Sequence, residues 1–388
     1  MKLCHLADLH LGHRRYGRLT SQGINQREAD VAQAARRATD AILAAEPDAV
    51  LVAGDVFDSV LPGNHARLEA FALVKRLATA APVIVVAGNH ETPRSRGTGN
   101  PLRLLAEVPG VHLATGRAEV YEVATRAGRL RVVAVPHAAL ANRQSVPPLV
   151  PGSARQVLLI HAGVPGLRLG SDLPTAPLPT GAAELGWDYV ALGDYHVCHQ
   201  VAANAWYSGS IEYTSSDPWG EWRAHPDKGW LLVELASERG QPPAAMFQPI
   251  GTRAVFDLPA IDADGLAPTE VAARVGAQVP EGHAGAIIRQ LVVNASRDLR
   301  RHFDHGAVQA VRRAALHYQL EFRLAPRPSV VPVRDDERPL PWELEQERAA
   351  AYDDGQDARL TPDDLTELGA LLTEAAQYSP QDGSPYYD

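Results

Sequence analysis

Residues 49–58 read Ala-Val-Leu-Val-Ala-Gly-Asp-Val-Phe-Asp. Five small or branched apolar residues in a row are too short for a helix and suit a strand buried on both faces. Gly54 then lets the backbone turn sharply, and Asp55 opens the turn. The same layout stands on either side. Leu3 to Ala7 is an apolar run that meets Asp8-Leu9-His10, and Pro82 to Ala87 is one that meets Gly88-Asn89-His90-Glu91. Helical patterns fill residues 25–45 and 65–80. Such alternation predicts βαβ units, with the polar motifs past the carboxyl ends of the strands, where open α/β sheets place their ligands.

Further along, apolar runs at 130–135, 157–160 and 189–192 read as strands, and 206–210 and 230–234 as strands at sheet edges. Strands added after the helical section predict an α/β fold with two facing mixed sheets flanked by helices. This first domain is expected over residues 1–245. Gly and Pro punctuate residues 237–243. Strand-like 253–258, 286–293 and 319–324 then alternate with helical 269–279 and 307–316, predicting a small α+β cap over 250–326. Pro326, Pro328 and Pro332 open a linker, and 327–388 form an acidic tail. Within it, 342–352 and 363–376 are apolar-periodic, with Leu365, Leu368, Leu371 and Leu372 on one face. Such a stripe needs a cover, either a partner or its own domain.

The chain has 388 residues, enough for two or three domains. Its net charge of −9 is unevenly placed. Residues 335–388 carry 15 acids and three arginines, so the remainder is mildly basic at +3. A negative total therefore does not exclude a nucleic-acid partner. No run reaches the roughly 18 apolar residues of a membrane span. The first residues lack the apolar stretch of a signal peptide. Two cysteines, Cys4 and Cys198, suit a reducing cytoplasm.

The motifs carry the chemistry. Asp8 and His10 are two apart, so an extended strand would point them the same way. Asp55 can bridge two cations with its two oxygens, and Asn89 offers a neutral amide oxygen. His161 closes the run 157–160, and Asp194 and His196 repeat the two-apart spacing. All are expected at loop starts over one sheet edge. Asp, Asn and His suit Mn²⁺, Fe²⁺ or Zn²⁺ better than a thiolate site would. Two such metals can clamp a phosphodiester and generate hydroxide at neutral pH. Each motif alone is weak; their order along the chain is what counts. Asp58 and Glu91 are expected to orient histidines or to cap helices, and His13 and His199 are possible neighbours of the centre. His5, His65, His112 and His137 read as structural or surface residues.

On these residues the chain resembles the calcineurin-like metallophosphoesterases, and more narrowly the SbcD-type DNA double-strand-break repair nucleases. The stretches LADLHLGHRRYG, VLVAGDVFDSVLPGNHA, VIVVAGNHETPRSRG and YVALGDYHVCHQVAANAWYSGSIEYTSSDPWGE carry the likeness. The resemblance implies a first metal on Asp8, His10, Asp55 and His196, and a second on Asp55, Asn89, His161 and Asp194. It implies two Mn²⁺ per chain, with Fe²⁺, Zn²⁺ or Mg²⁺ as substitutes. It implies that His90 assists the leaving group or positions the phosphate. One departure matters: the family's GHxH is GDYH here, so Asp194 stands where a histidine is usual. The implied activity is 3′→5′ exonuclease with single-strand or hairpin endonuclease action. Implied partners are DNA, a second copy through helices near 65–80 and 100–108, and an SbcC-like ATPase on the tail. Phosphate contacts are expected from Arg14, Arg15, Arg18, Arg94, Arg96, Arg297, Arg300 and Arg301. The alternatives are a phosphoesterase of small nucleotides or phosphate esters, and an ATPase-binding scaffold whose GDYH pair has lost catalysis.

Overall fold

A computed structural model of the chain describes residues 1–325, apart from 96, 153, 168–175, 184 and 240. Arg96, the linker and the two tail stretches expected at 342–352 and 363–376 lie outside the described residues.

The first half follows the alternation expected. Strand β1 (Lys2–Leu6) leads to helix α1 (Gln26–Ala44), β2 (Ala49–Val52), α2 (Asn64–Ala80) and β3 (Val83–Val86). A 3₁₀ segment (Pro101–Glu107) precedes β4 (Val111–Ala114). Then come β5 (Glu119–Thr125), β6 (Gly128–Val135), α3 (His137–Ala141), β7 (Arg155–His161) and β8 (Tyr189–Gly193). Next are β9 (His199–Ala202), β10 (Ala205–Tyr207), α4 (Pro218–Ala224), β11 (Lys228–Glu234) and β12 (Ala244–Ile250).

Two six-stranded sheets result, in the orders β12-β11-β1-β2-β3-β4 and β5-β6-β7-β8-β10-β9. Both are mixed: β1, β2, β3 and β4 run parallel while β11 is antiparallel to β1. Their inner faces meet, with Leu3, Leu51 and Ile84 packed with Val132, Leu159 and Tyr189. The outer face of the first sheet packs Cys4, Val50 and Val83 against Val31, Ala38 and Leu73 of α1 and α2. With both faces covered, the central strands read as unbroken apolar runs.

Two edge assignments are corrected. Residues 206–210 and 230–234 were expected at sheet edges, yet β10 lies between β8 and β9, and β11 between β1 and β12. The edge strands that lie outside them, β9 and β12, are partly exposed along their length. β9 mixes polar and apolar residues, and the apolar start of β12, Ala244 to Phe247, directly follows the Gly and Pro punctuation of 237–243.

A third, four-stranded sheet follows: β13 (Val255–Asp257), β14 (Ile261–Asp262), β15 (Ile287–Ala295) and β16 (His317–Leu324). Helices α5 (Pro268–Ala277), α6 (Arg297–His302) and α7 (Gln309–Ala314) accompany it. It has its own core around Val271, Ile288, Val292 and Phe303. It meets the sandwich through Tyr213, Trp219, Val255, Ile287 and Leu316, with Tyr16 stacked on His317 at 4.1 Å.

Candidate metal centre

The five motifs converge on one rim, but not over one sheet edge as expected. Asp8, Asp55 and Asn89 follow β1, β2 and β3 of the first sheet, while His161 and Asp194 end or follow β7 and β8 of the second. The sheets are stacked, so the carboxyl ends of both open to the same side. The Asp8–His10 pair is also placed differently. Both residues have left-handed backbones (φ 52° and 49°), as does Asp55 (φ 48°). An extended strand therefore does not align Asp8 with His10. Bonds from the Asp8, His10 and Leu11 amides to the carbonyls of Gly54, Asp55 and Val56 hold the two loops side by side. Non-glycine residues in this region persist where the surroundings over-determine them, as at functional sites.

Each ring turns one nitrogen toward the centre and the other toward a supporting oxygen. His161 Nδ1–H donates to the Ala53 carbonyl (2.8 Å), leaving Nε2 at 3.0 Å from Asn89 Oδ1, 3.5 Å from Asp194 Oδ1 and 3.6 Å from Asp55 Oδ2. His10 Nδ1 lies 3.3 Å from Asp58 Oδ1, and its Nε2 is 3.8 Å from Asp55 Oδ2 and 3.0 Å from His196 Nε2. His196 Nδ1 faces Glu221 Oε1 at 3.2 Å. A ring so oriented offers a lone pair to a cation. Among the described residues, three groupings have donor atoms within 4.8 Å of one another: Asp8, His10 and His196; Asp8, Asp55 and His161; His10, Asp55 and His90.

Electrostatics suit cations. Burial pushes the Asp8 carboxyl up to about 7, with His161 and His196 opposing and the Asp55 and Asp194 charges adding to the rise. Burial holds His10 down at about 4, a neutral ring able to ligate. For His161 burial works downward, yet the Asp55, Asp194 and Asp8 carboxylates hold it well above its usual value. Three crowded carboxylates, the neutral His10 ring and the Asn89 amide fit divalent cations of intermediate hardness, and a cation there would take the place of the proton that the carboxylates draw to His161.

The supporting residues divide. Asp58 Oδ1 meets both His13 Nδ1 (3.0 Å) and His10 Nδ1. Glu91 orients no histidine: its two oxygens accept the amides of Phe57 (2.6 Å) and Gly88 (2.9 Å). It ties the second motif to the third through backbone. His90 Nδ1–H donates to the Asp58 carbonyl at 2.7 Å, and its ring stands edge-on to His10. His90 lines an open cavity of about 490 Å³ with Asn89, Thr92 and Arg94. His137, read as structural, has Nδ1 at 3.3 Å from Thr92 Oγ1 on that wall.

The arginines also divide. Arg14 is exposed, though paired with Glu28 at 2.7 Å. Arg15 donates to the Ser215 and Ser216 carbonyls, and Arg18 to those of Arg312 and Arg313. These two brace the first loop against its neighbours instead of pointing free guanidinium groups outward. Arg297, Arg300 and Arg301 gather with Leu324 around a surface hollow of about 380 Å³.

Sequence reading missed Glu221 and Lys228. Both are buried, with Lys228 Nζ at 2.6 Å from Glu221 Oε2, 2.7 Å from the His196 carbonyl and 3.0 Å from Ser210 Oγ. A lysine opening the apolar run Gly229 to Val233 was the available signal.

The family described as calcineurin-like phosphoesterase matches residues 1–217. The chain is similar to the DNA double-strand break repair protein Mre11 of Saccharolobus solfataricus, 26% identical over 204 residues, half of this chain and 49% of that protein. It is 28% identical to that of Methanocaldococcus jannaschii over 248 residues, 61% of this chain and 63% of the relative. Against that of Thermoplasma acidophilum it is 35% identical over 123 residues, 31% of this chain and 30% of the relative. The matches thus span less than two thirds of each relative's length.

Proposed function

Because the chain belongs to the calcineurin-like phosphoesterase family, we propose that it is a metal-dependent nuclease that hydrolyses phosphodiester bonds of DNA, as a repair enzyme would. The observation that carries this reading is the position of Asp55. Its Oδ2 lies 3.8 Å from His10 Nε2 and 3.6 Å from His161 Nε2, so one carboxylate stands between two donor groups. In this reading Asp8, His10, His196 and Asp55 hold one Mn²⁺, and Asp55, Asn89, His161 and Asp194 hold a second. Fe²⁺, Zn²⁺ or Mg²⁺ are substitutes of the same donor chemistry. Bound there, such cations acidify water and neutralise phosphate charge. The carboxylate of Asp194, where a histidine is usual, favours a harder ion.

His90 acts from the cavity wall. Its Nδ1–H is spent on the Asp58 carbonyl, so Nε2 is the nitrogen that exchanges a proton with the leaving oxygen or bonds the phosphate. Arg94 on the same wall, together with Arg14 and the Arg297, Arg300 and Arg301 group, is assigned to phosphates, giving salt-dependent binding without base readout. Arg15 and Arg18 are left out, since their guanidinium groups are committed to carbonyls.

The finer reading is a 3′→5′ exonuclease with single-strand or hairpin endonuclease action. It works as a homodimer beside an SbcC-type ATPase bound to residues 336–388, in the cytoplasm. The dimer is supported by Leu61, Leu68, Phe71 and Leu104, apolar side chains exposed on α2, the loop before it and the 3₁₀ segment. Two free cysteines and no described helix long and apolar enough to cross a membrane accord with that setting.

The test is cleavage of end-labelled duplex DNA and of a chromogenic phosphodiester, each with and without Mn²⁺. Shortening of the labelled strand only with Mn²⁺ is expected. Cleavage of the chromogenic ester alone would replace DNA with a small substrate, and no cleavage of either with two bound metals would leave a scaffold.

A further inference from the structure

We propose, taking His196 as a metal ligand as in the reading above, that Glu221 is its positioning residue and that Lys228 keeps Glu221 in place. Glu221 sits on α4, whose start is set by Asp217 accepting the Gly220 amide (3.0 Å) with Pro218 next in line. Its Oε1 faces His196 Nδ1 at 3.2 Å and accepts the Ser215 amide at 2.8 Å. Its Oε2 meets Lys228 Nζ at 2.6 Å. Lys228 also donates to the backbone carbonyl of His196 at 2.7 Å. Ring and backbone of His196 are therefore gripped by one buried ion pair, whose side chains are 1% and 2% exposed.

The chemistry runs from the acceptor inward. A carboxylate on Nδ1 requires that nitrogen to carry the proton, so the lone pair is on Nε2. That atom lies 3.0 Å from His10 Nε2, a separation that two donors of one cation adopt. Two effects of the carboxylate compete. Its charge would make the ring more basic, but Lys228 beside it offsets that charge. Orientation and choice of tautomer are what remain, and such outer partners are typically worth about 10–100-fold in metal affinity.

The experiment titrates Mn²⁺ into the full chain by calorimetry, with bound metal counted by mass spectrometry. Glu221→Met with Lys228→Met removes acceptor and charge together and leaves no unpaired buried ion. Glu221→Gln with Lys228→Met removes the charge but keeps an oxygen acceptor for Nδ1–H. We expect the first pair to weaken one of two Mn²⁺ sites about 10–100-fold and the second pair to stay within a few-fold of wild type. In a His196→Ala background the first pair should have no further effect on that site. Wild-type affinity in the Met/Met variant, or equal losses in both variants, overturns the positioning role. Unchanged binding of both metals in His196→Ala alone would instead refute the ligand reading, and the positioning role with it. A nitrogen–proton spectrum of wild-type protein loaded with Zn²⁺ decides the matter even if neither variant folds: His196 protonated on Nδ1 supports the assignment, and protonation on Nε2 ends it.

Discussion

At the scale of single residues, the glycines of the motifs are steric necessities. A Cβ on Gly88 would stand 2.0 Å from Asp55 Oδ1, and one on Gly54 would stand 2.3 Å from His161 Nδ1, at a backbone φ of 97°. Gly88→Ala must therefore displace the carboxylate between the two donor groups. We expect it to lower Mn²⁺-dependent cleavage at least ~100-fold, as small misplacements at a reacting centre do, with loss of bound metal measured in the same samples. His90→Ala should behave differently. The backbone amide of His90, not its ring, donates to Asp55 Oδ1 at 3.0 Å. Removing the ring leaves that bond, so cleavage should vanish while two metals still bind. A variant that loses both metals would show that the ring ligates.

At the scale of elements, α4 joins two parts of the molecule. Trp219 is buried at the junction with the third sheet, under the Arg289 guanidinium at 4.9 Å from its ring, while Glu221 two positions on meets His196. Trp219→Ala should cost about 3–5 kcal/mol of unfolding free energy and weaken metal binding with it; stability lost with metal affinity untouched would separate the two roles. Strand β1 carries a pH dependence. Burial holds His5, bonded to the Tyr189 hydroxyl at 2.8 Å, down at about 3 from 6.5. Between those values the unfolded chain binds a proton that the folded chain refuses. Its contribution is full above pH 6.5 and falls as the pH drops toward 3. Asp8 and Glu91, both raised, act in the opposite sense, so the comparison is between proteins. His5→Leu should flatten the acid side of the stability curve by about one proton, or ~1.4 kcal/mol per pH unit, in denaturant unfolding at several pH values. An unchanged slope would contradict the buried, neutral ring.

At the scale of the whole molecule, charge and apolar surface make separate statements. The mildly basic body with Arg297, Arg300 and Arg301 together predicts phosphate binding. Replacing all three by Ala should weaken duplex binding alike for any sequence and lower the slope of log K against log salt by up to about 3. Anisotropy titrations over a salt series measure it, and an unaltered slope would remove these residues from the DNA face. Leu68 and Leu104 are 71% and 57% exposed. Changing both to Glu should yield monomers in sedimentation if they face a second copy; wild type sedimenting as a monomer would dispose of that interface.

The alternation of apolar runs and helical patterns was readable because strands covered on both faces, such as β2 and β3, must be apolar throughout. The motifs were readable because each interrupts such a run at its end. Half-exposed β9 mixes polar and apolar residues, and β12 directly follows the Gly and Pro of 237–243, so neither stood out as a strand and the sheet edges were misplaced. Local residue types thus marked the strands, the helices and the candidate donor residues. Only the tertiary structure decided which donors meet, because that depends on two sheets stacking with their carboxyl ends on one side. It alone brought Lys228, buried in one sheet, to Glu221 on a helix and both to His196. No spacing along a chain encodes a contact made by the packing of distant elements.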